Sequence, residues 1–129
     1  MIVDSSAVIA ILRNEPEGAA FEQLLLDHPV RMSAANWFEA AMVADGSVPA
    51  NAGDRFDRIV EAAGITIEPV TEAHARAARI AFRRYGRGSG SPARLNFGDC
   101  FAYALSATSG EPLLFKGDDF THTDVLPAR

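Results

Sequence analysis

The residues best suited to chemistry are acids in four widely separated segments of the chain. They are Asp4, Glu39, Asp99 and the adjacent pair Asp118 and Asp119. Carboxylates brought together repel one another unless a cation neutralises them. Oxygen-only ligands of this kind suit Mg²⁺ or Mn²⁺, and the sequence has no Cys/His spacing typical of zinc. If these acids converge in the fold, they predict a site for a divalent metal ion.

Most of these acids also have an ordinary structural explanation. Asp4 is a good N-cap for a following helix, and on local evidence alone that interpretation is favoured. Asp99 falls three residues after Asn96, where an acid that reaches back to the cap stabilises a helix start. The pair at 118–119 is also typical of a turn. Glu39 differs, because its apolar neighbours make an unpaired carboxylate costly, which favours a functional role.

The basic residues are concentrated in the segment Ala73–Arg94, which has no acid and holds six arginines, half of the 12 basic residues. They are Arg76, Arg79, Arg83, Arg84, Arg87 and Arg94. The net charge of −5 alone argues against a nucleic-acid partner. However, the run continues into the Gly/Ser loop Gly86–Pro92, which makes a phosphate-contacting surface as plausible as a solvated helix face. A metal site beside such a surface suggests phosphodiester hydrolysis.

Short apolar strands alternate with helices along the chain. The predicted strands are Met1–Val3, Pro29–Met32, Ile65–Ile67 and Pro112–Phe115, with an edge strand around Val125. The predicted helices are Ser5–Arg13, Glu17–His28, Ala34–Asp45, Asp54–Ala63, one from the Thr71 cap to Tyr85 and one from Asn96 to Gly110. This order predicts an α/β sandwich with a mostly parallel sheet. Ligands bind such sheets at the carboxyl ends of the strands, which places Asp4 and the pair at 118–119 at one edge.

Helical periodicity predicts which side chains face the core. In Ala34–Asp45, the residues Phe38 and Met42 share a face with Glu39 and are expected to surround it. In the helix that ends at Tyr85, Phe82 is expected to point inward.

The length of 129 residues predicts a single domain over 1–129 with a sizeable core. The single cysteine, Cys100, excludes an intrachain disulfide and fits a reducing compartment. The longest N-terminal apolar run, Ala7–Leu12, is too short to span a bilayer. We therefore expect a cytoplasmic protein without membrane contact.

Three stretches in combination resemble the PIN-domain ribonucleases, specifically the VapC toxins of bacterial type II toxin–antitoxin systems. They are IVDSSAVIAIL at the start, the WFEA segment around Glu39, and LNFGDCFAYALS followed by LLFKGDDF. The resemblance covers essentially the whole chain. It implies a PIN-like three-layer α/β/α sandwich with a short, mostly parallel central sheet. It also implies an Mg²⁺- or Mn²⁺-dependent endoribonuclease, a cognate VapB-type antitoxin as inhibitor, and usually a homodimer.

Carried over residue by residue, the resemblance assigns catalytic and metal-binding acids to Asp4, Glu39 and Asp99, with a supporting hydroxyl at Ser6. The fourth acid is Asp119, with Asp118 as the alternative. We assign RNA contacts to Arg83, Arg84, Arg87, Arg94 and Lys116. Family members often cleave structured RNA such as tRNA or ribosomal RNA.

The antitoxin is expected to cover the apolar helices Ser5–Leu12 and Phe38–Val43 and to place an arginine in the acidic site. The residues alone leave two other functions open. One is a catalytically inactive PIN-scaffold interaction module. The other is a different Mg²⁺-dependent phosphoryl-transfer enzyme, which usually has a lysine at a strand end, and Lys116 is the one lysine of this chain.

Overall fold

Strands and helices alternate in the computed structural model, which describes residues 1–47 and 51–129. The strands of these described ranges are β1 (Ile2–Val3), β2 (Arg31–Ser33), β3 (Thr66–Glu68) and β4 (Leu113–Leu114). The helices are α1 (Ser5–Leu12), α2 (Gly18–Asp27), α3 (Ala34–Asp45), α4 (Ala52–Ala62), α5 (Glu72–Tyr85) and α6 (Phe97–Ser109). A 3₁₀ turn, Asp119–His122, follows β4. The bounds of α3 match the prediction, as do those of α5 and α6 inside their predicted caps, and the other helices and strands differ from it by one or two residues at their ends.

The four strands form one parallel sheet in the order β3-β2-β1-β4. In the central strand β1, Ile2 lies opposite Arg31 on one side and opposite Leu113 on the other. The C-terminal tail adds a bridge between Leu113 and Pro127, two residues beyond the edge strand predicted around Val125. The predicted parallel α/β arrangement is confirmed.

Alternating side chains of the strands supply two separate cores. Val3 and Leu114 pack in a core with side chains from α1, α2, α3 and α4. Ile2 and Leu113 face the opposite way and pack with side chains of α5 and α6. Because successive strand residues point to opposite faces, a two-residue strand is enough to join both cores. The result is the three-layer α/β/α sandwich that the resemblance implied.

Polar caps begin the helices that carry the acids. The Asp4 carboxylate accepts a hydrogen bond from the Ser6 N–H at 3.0 Å and so caps α1. Asn96 opens α6 with a reciprocal capping box. Gly110 ends that helix in the left-handed conformation, with φ of 69°. The cap interpretations of Asp4 and Asp99 are therefore correct, and they do not exclude a second role.

Two predictions of which side chains are buried were wrong. On α3, Phe38 and Met42 are 59% and 54% exposed, and the buried residues are Asn36, Ala40 and Ala44. Small side chains line that face because α3 packs closely against neighbouring helices, including α1 and α6. On α5, Phe82 is 49% exposed while Ala78 and Ala81 face the core.

The loop predicted over Gly46–Gly53 is shorter, since α4 already begins at Ala52, and its residues 48–50 lie outside the described ranges. Across the described residues, none of the helices combines the length and the apolar character needed to cross a membrane.

Candidate functional site

Four acids from separate segments line one open cleft of about 300 Å³. They are Asp4 at the end of β1, Glu39 on α3, Asp99 in the first turn of α6 and Asp119 in the turn after β4. The rest of the cleft is lined by Ser5, Ser6, Ile9, Val43, Asn96, Lys116 and Phe120. The structure therefore brings together the acids that the sequence placed in different elements.

The Asp118 side chain does not line this cleft. Asp118 instead precedes the 3₁₀ turn, and its carbonyl oxygen accepts a hydrogen bond from the Thr121 N–H at 3.0 Å. The carboxylate that the GDDF segment delivers to the other acids is that of Asp119, the position favoured from the sequence.

Asp4 is the most buried member of the cluster, at 2% exposure. The pKa of its carboxyl group is raised to about 7, chiefly because the group is buried; the negative charges of Asp99 and Glu39 contribute to the rise, and the hydrogen bonds from Ser6 oppose it. Its Oδ2 accepts the Ser6 N–H, but its Oδ1 is buried without a hydrogen-bond partner. A buried acceptor of this kind is costly unless a proton or a cation satisfies it.

Asp99 is held by the helix start it helps to cap. The Asn96 N–H donates to Asp99 Oδ2 at 3.0 Å, and the Asp99 N–H donates to Asn96 Oδ1 at 2.9 Å. Burial raises the pKa of the Asp99 carboxyl group, as do the charges of Asp119 and Glu39, whereas the Asn96 hydrogen bond and Arg87 lower it. Asp99 thus shares one electrostatic environment with the other acids.

Glu39 reaches the cleft from α3 and accepts a hydrogen bond from the Ser5 hydroxyl. Ser5 was not predicted as a site residue, because the family resemblance assigns the supporting hydroxyl to Ser6 alone. The two adjacent serines start a helix, and consecutive helical residues point in different directions. Only the tertiary structure separates them, because Ser5 is buried and bonds to Glu39 whereas the Ser6 hydroxyl accepts from the Lys116 N–H.

Lys116 lies at the cleft, but its ammonium group is already paired. Its Nζ lies 2.8 Å from Glu17 Oε1 and also contacts Glu15 Oε2. Two acids therefore neutralise the charge that the sequence suggested for RNA binding, which argues against that contact.

The predicted arginine surface surrounds the end of α5. Arg83 and Arg84 are exposed, and the Arg84 guanidinium lies over the Tyr85 ring at 4.8 Å from its centroid. Arg94 is also exposed, with a left-handed φ of 50°. Arg87 lies near enough to the acidic cleft to act on Asp99. Arg87 is thus the predicted phosphate contact with the most direct electrostatic link to the acids.

The cleft offers oxygen atoms that suit a hard divalent cation. Its four acids supply carboxylate oxygens, and Asp4 Oδ1 has no hydrogen-bond partner. In the part of the chain that the structure describes, no three Asp, Glu, His or Cys side chains already stand around a common point where an ion could bind. Binding an ion would therefore require the carboxylates to draw together.

Comparisons with known proteins point to one family. The family described as PIN domain matches residues 1–126. The chain is 50% identical over 129 residues to two proteins, VapC ribonuclease Mb0625 of Mycobacterium bovis and ribonuclease VapC28 of Mycobacterium tuberculosis. Each match covers 99% of this chain and 97% of the relative. A ribonuclease VapC of Mycolicibacterium smegmatis is 44% identical over 126 residues, covering 97% of both chains.

A solved structure gives the same fold. The crystal structure of Mycobacterium tuberculosis VapC20, described as a sarcin–ricin loop cleaving toxin, superposes with a TM-score of 0.78. The match covers 99% of this chain and 98% of the other, at 17% sequence identity. At this identity the likeness supports the architecture alone.

Proposed function

This chain belongs to the PIN-domain family, among the VapC ribonucleases, and from that premise we propose that it is the toxin of a type II toxin–antitoxin system, an endoribonuclease that hydrolyses RNA phosphodiester bonds. The observation that carries the proposal is the convergence of four acids in one cleft. The relatives named as VapC ribonucleases, which match this chain over nearly its full length, support the same activity.

The enzyme depends on Mg²⁺ or Mn²⁺ in this proposal, with Asp4, Glu39, Asp99 and Asp119 as the residues that would hold the ion. Two features support this metal dependence: the unpartnered Asp4 Oδ1 and the raised pKa values of Asp4 and Asp99. A cation in the cleft would satisfy that oxygen and stabilise the ionised carboxylates. When bound, such an ion supplies a Lewis acid that offsets negative charge on the phosphate in the transition state.

Other side chains around the acids orient the carboxylates and bind the phosphate in this proposal. Ser5 orients Glu39 and Asn96 orients Asp99, so that both carboxylates stay directed at the cleft. Arg87 is close enough to lower the pKa of Asp99, which supports a role in holding a phosphate beside it. Preorganised charges of this kind act on the transition state without reorganising during the reaction.

The RNA is bound in this proposal along the arginines of α5 and the following loop. The segment Ala73–Arg94 holds six arginines and no acid, which gives it a local positive charge despite the net charge of −5, although Asp124 lies 3.8 Å from the Arg84 guanidinium. The substrate itself, tRNA or ribosomal RNA, and the homodimer stay predictions from the family resemblance, and the cytoplasmic location stays a prediction from the single cysteine and the short apolar runs.

A VapB-type antitoxin is the proposed inhibitor, and its proposed binding surface is the cleft next to the acids together with exposed apolar side chains of α3. Ile9 and Val43 line the acidic cleft and also an adjoining cleft that includes Leu12. Phe38 and Met42 lie exposed on the same helix as Val43. An antitoxin segment across these residues would place an arginine among the acids, where it would pair with buried carboxylates.

Cleavage of structured RNA by the purified protein tests the activity and its metal dependence. We expect cleavage with Mg²⁺ or Mn²⁺ that EDTA abolishes. Asp4→Asn and Asp99→Asn should abolish it while circular dichroism shows a retained fold. Asp118→Asn should retain it, because Asp118 lies outside the cleft.

The outcomes separate the competing functions. Cleavage that survives EDTA, or that survives in Asp4→Asn, contradicts the metal assignment. Tight antitoxin binding without cleavage of any RNA favours the inactive interaction module. Turnover of a phosphomonoester without RNA cleavage favours the other phosphoryl-transfer enzyme.

A further inference from the structure

We infer that Gly98 is a positioning residue for Glu39, because the space where its side chain would lie is occupied by the Glu39 carboxylate. The inference rests on the proposed function, since it concerns how one of the proposed metal-binding acids is held in the cleft.

The Glu39 carboxylate lies where a side chain on residue 98 would begin. A Cβ added to Gly98 would lie 2.3 Å from Glu39 Oε2 and 2.7 Å from both Cδ and Oε1. These separations are shorter than carbon and oxygen atoms tolerate without bonding. Gly98 lies in the first turn of α6, and its φ is not in the left-handed region. Conformational freedom therefore does not explain a glycine here, and lack of a side chain does.

Hydrogen bonds hold the contact from both sides. Asn36, fully buried on α3, donates from Nδ2 to the carbonyl oxygen of Gly98 at 2.9 Å. Asn36 and Glu39 are three residues apart and therefore lie on the same side of the helix. On the other side of the carboxylate, the Ser5 hydroxyl donates to Glu39 Oε1. Glu39 is thus enclosed between α1 and the start of α6.

A larger residue at this position should move Glu39 and leave the fold intact. The atoms that a Cβ would meet are the end of a flexible side chain, which yields more readily than backbone. Alanine also favours a helix over glycine, which offsets part of the cost. The displaced carboxylate would lose its hydrogen bond to Ser5 and leave its place beside Asp99 and Asp4.

Gly53 provides a closely matched control. Gly53 is the second residue of α4, as Gly98 is the second residue of α6. A Cβ on Gly53 would lie 2.3 Å from a carboxylate oxygen, Oδ1 of Asp45. Asp45 does not line the acidic cleft. The two substitutions therefore impose a similar local clash, and only one of them involves a proposed metal ligand.

The test compares Gly98→Ala with Gly53→Ala in RNA cleavage, in Mn²⁺ affinity by titration calorimetry, and in unfolding by urea. We expect Gly98→Ala to lower cleavage and Mn²⁺ affinity by roughly 10- to 100-fold, the usual effect of disturbing the residues that orient metal ligands. Gly53→Ala should leave both close to wild type. Both variants should unfold as cooperatively as the wild type.

A double-mutant cycle shows whether the effect passes through Glu39. In a Glu39→Ala background, no carboxylate remains to be displaced, so adding Gly98→Ala should cause no further loss of Mn²⁺ affinity. A general structural role of Gly98 would instead give an additive loss. Additive losses, wild-type behaviour of Gly98→Ala, or its failure to fold would each overturn the inference.

Failure of the proposed function is a separate result. If the wild-type protein neither binds Mn²⁺ nor cleaves RNA, a crystal structure of Gly98→Ala decides the inference by itself. A Glu39 carboxylate displaced from Ser5 supports the positioning role, and an unchanged hydrogen bond between them overturns it.

Discussion

The hydroxyl oxygen of Ser6 accepts a hydrogen bond from the backbone N–H of Lys116 at 3.0 Å. The bond joins the second residue of α1 to the segment that leaves β4. Asp4 lies two residues before Ser6, and Asp119 lies three residues after Lys116. A single hydroxyl therefore helps to fix the distance between two acids that belong to opposite ends of the chain.

Ser6→Ala should lower RNA cleavage by roughly tenfold, because the turn that carries Asp119 loses this attachment. The loss of one hydrogen bond should lower the free energy of unfolding by about 0.5–1.5 kcal/mol. Ser6→Thr keeps the hydroxyl and should restore both quantities. Ser109→Ala is the control, because the Ser109 hydroxyl donates to the Leu105 carbonyl within α6. Equal cleavage by Ser6→Ala and Ser109→Ala would contradict the role of the Ser6 hydroxyl.

Stability of the metal-free protein should fall as the pH rises from about 4 to about 7, because of Asp4. Burial raises the pKa of Asp4 from 3.8 to about 7, so the folded state holds this proton more tightly than the unfolded state. The stabilisation that the bound proton of Asp4 provides is complete at a pH below the pKa of Asp4 in the unfolded state. It is lost as the pH rises through the pKa of Asp4 in the folded state. Across this pH range, the free energy of unfolding should fall by on the order of 4 kcal/mol, because Asp4 is fully buried.

Urea unfolding in EDTA at pH 5 and pH 8 measures this effect. Asp4→Asn should remove most of the difference between the two pH values and stabilise the protein at pH 8. Asp57→Asn, at an exposed position on α4, should leave the difference unchanged. A pH dependence that is the same in Asp4→Asn and wild type would show that Asp4 is not its source.

The parallel sheet and the main features of the acidic site could be predicted because local signals encode them. Apolar runs between cap and turn residues marked the strands, and Asn96 and Gly110 marked the ends of α6. The convergence of Asp4 and Asp119 followed from topology, since carboxyl ends of parallel strands meet at one edge. That rule needs no knowledge of which side chains touch.

The contacts that orient the acids could not be predicted, because their partners lie far away in the sequence. No role was predicted for Asn36, yet its side chain donates to the carbonyl oxygen of Gly98, 62 residues further on. Helical periodicity likewise predicted Phe38 to be a core residue, although its side chain is 59% exposed. Tertiary packing selects such partners, and a pattern within one element does not contain that information.

Met42→Asp should weaken antitoxin binding by at least tenfold and leave RNA cleavage unchanged. Met42 is 54% exposed on α3, next in the chain to Val43, which lines the cleft proposed for the antitoxin, and it does not line the acidic cleft. A charge placed in an apolar interface must lose its hydration on binding, which costs affinity. Leu26→Asp on α2 is the control, because Leu26 is similarly exposed at 52%. Calorimetric titration with the antitoxin measures both, and equal affinities for the two variants would exclude this surface.

Arg83→Glu should weaken RNA binding and reduce its dependence on salt. Each phosphate contact contributes about 0.7–0.9 to the slope of log affinity against log salt concentration, because binding releases counterions. Arg83 is exposed near the end of α5, in the segment without acids, and a reversed charge there should flatten the slope by about this amount. Arg84→Glu added to it should flatten the slope further.

Arg58→Glu, which changes the same charge on the exposed face of α4, separates a local contact from an effect of net charge. We expect its salt slope to match that of the wild type, measured by fluorescence anisotropy with an uncleavable RNA. Mn²⁺ affinity should be unchanged in Arg83→Glu, since Arg83 does not line the acidic cleft. If Arg58→Glu and Arg83→Glu weakened binding equally, overall charge would account for RNA affinity and the α5 surface would not be its binding site.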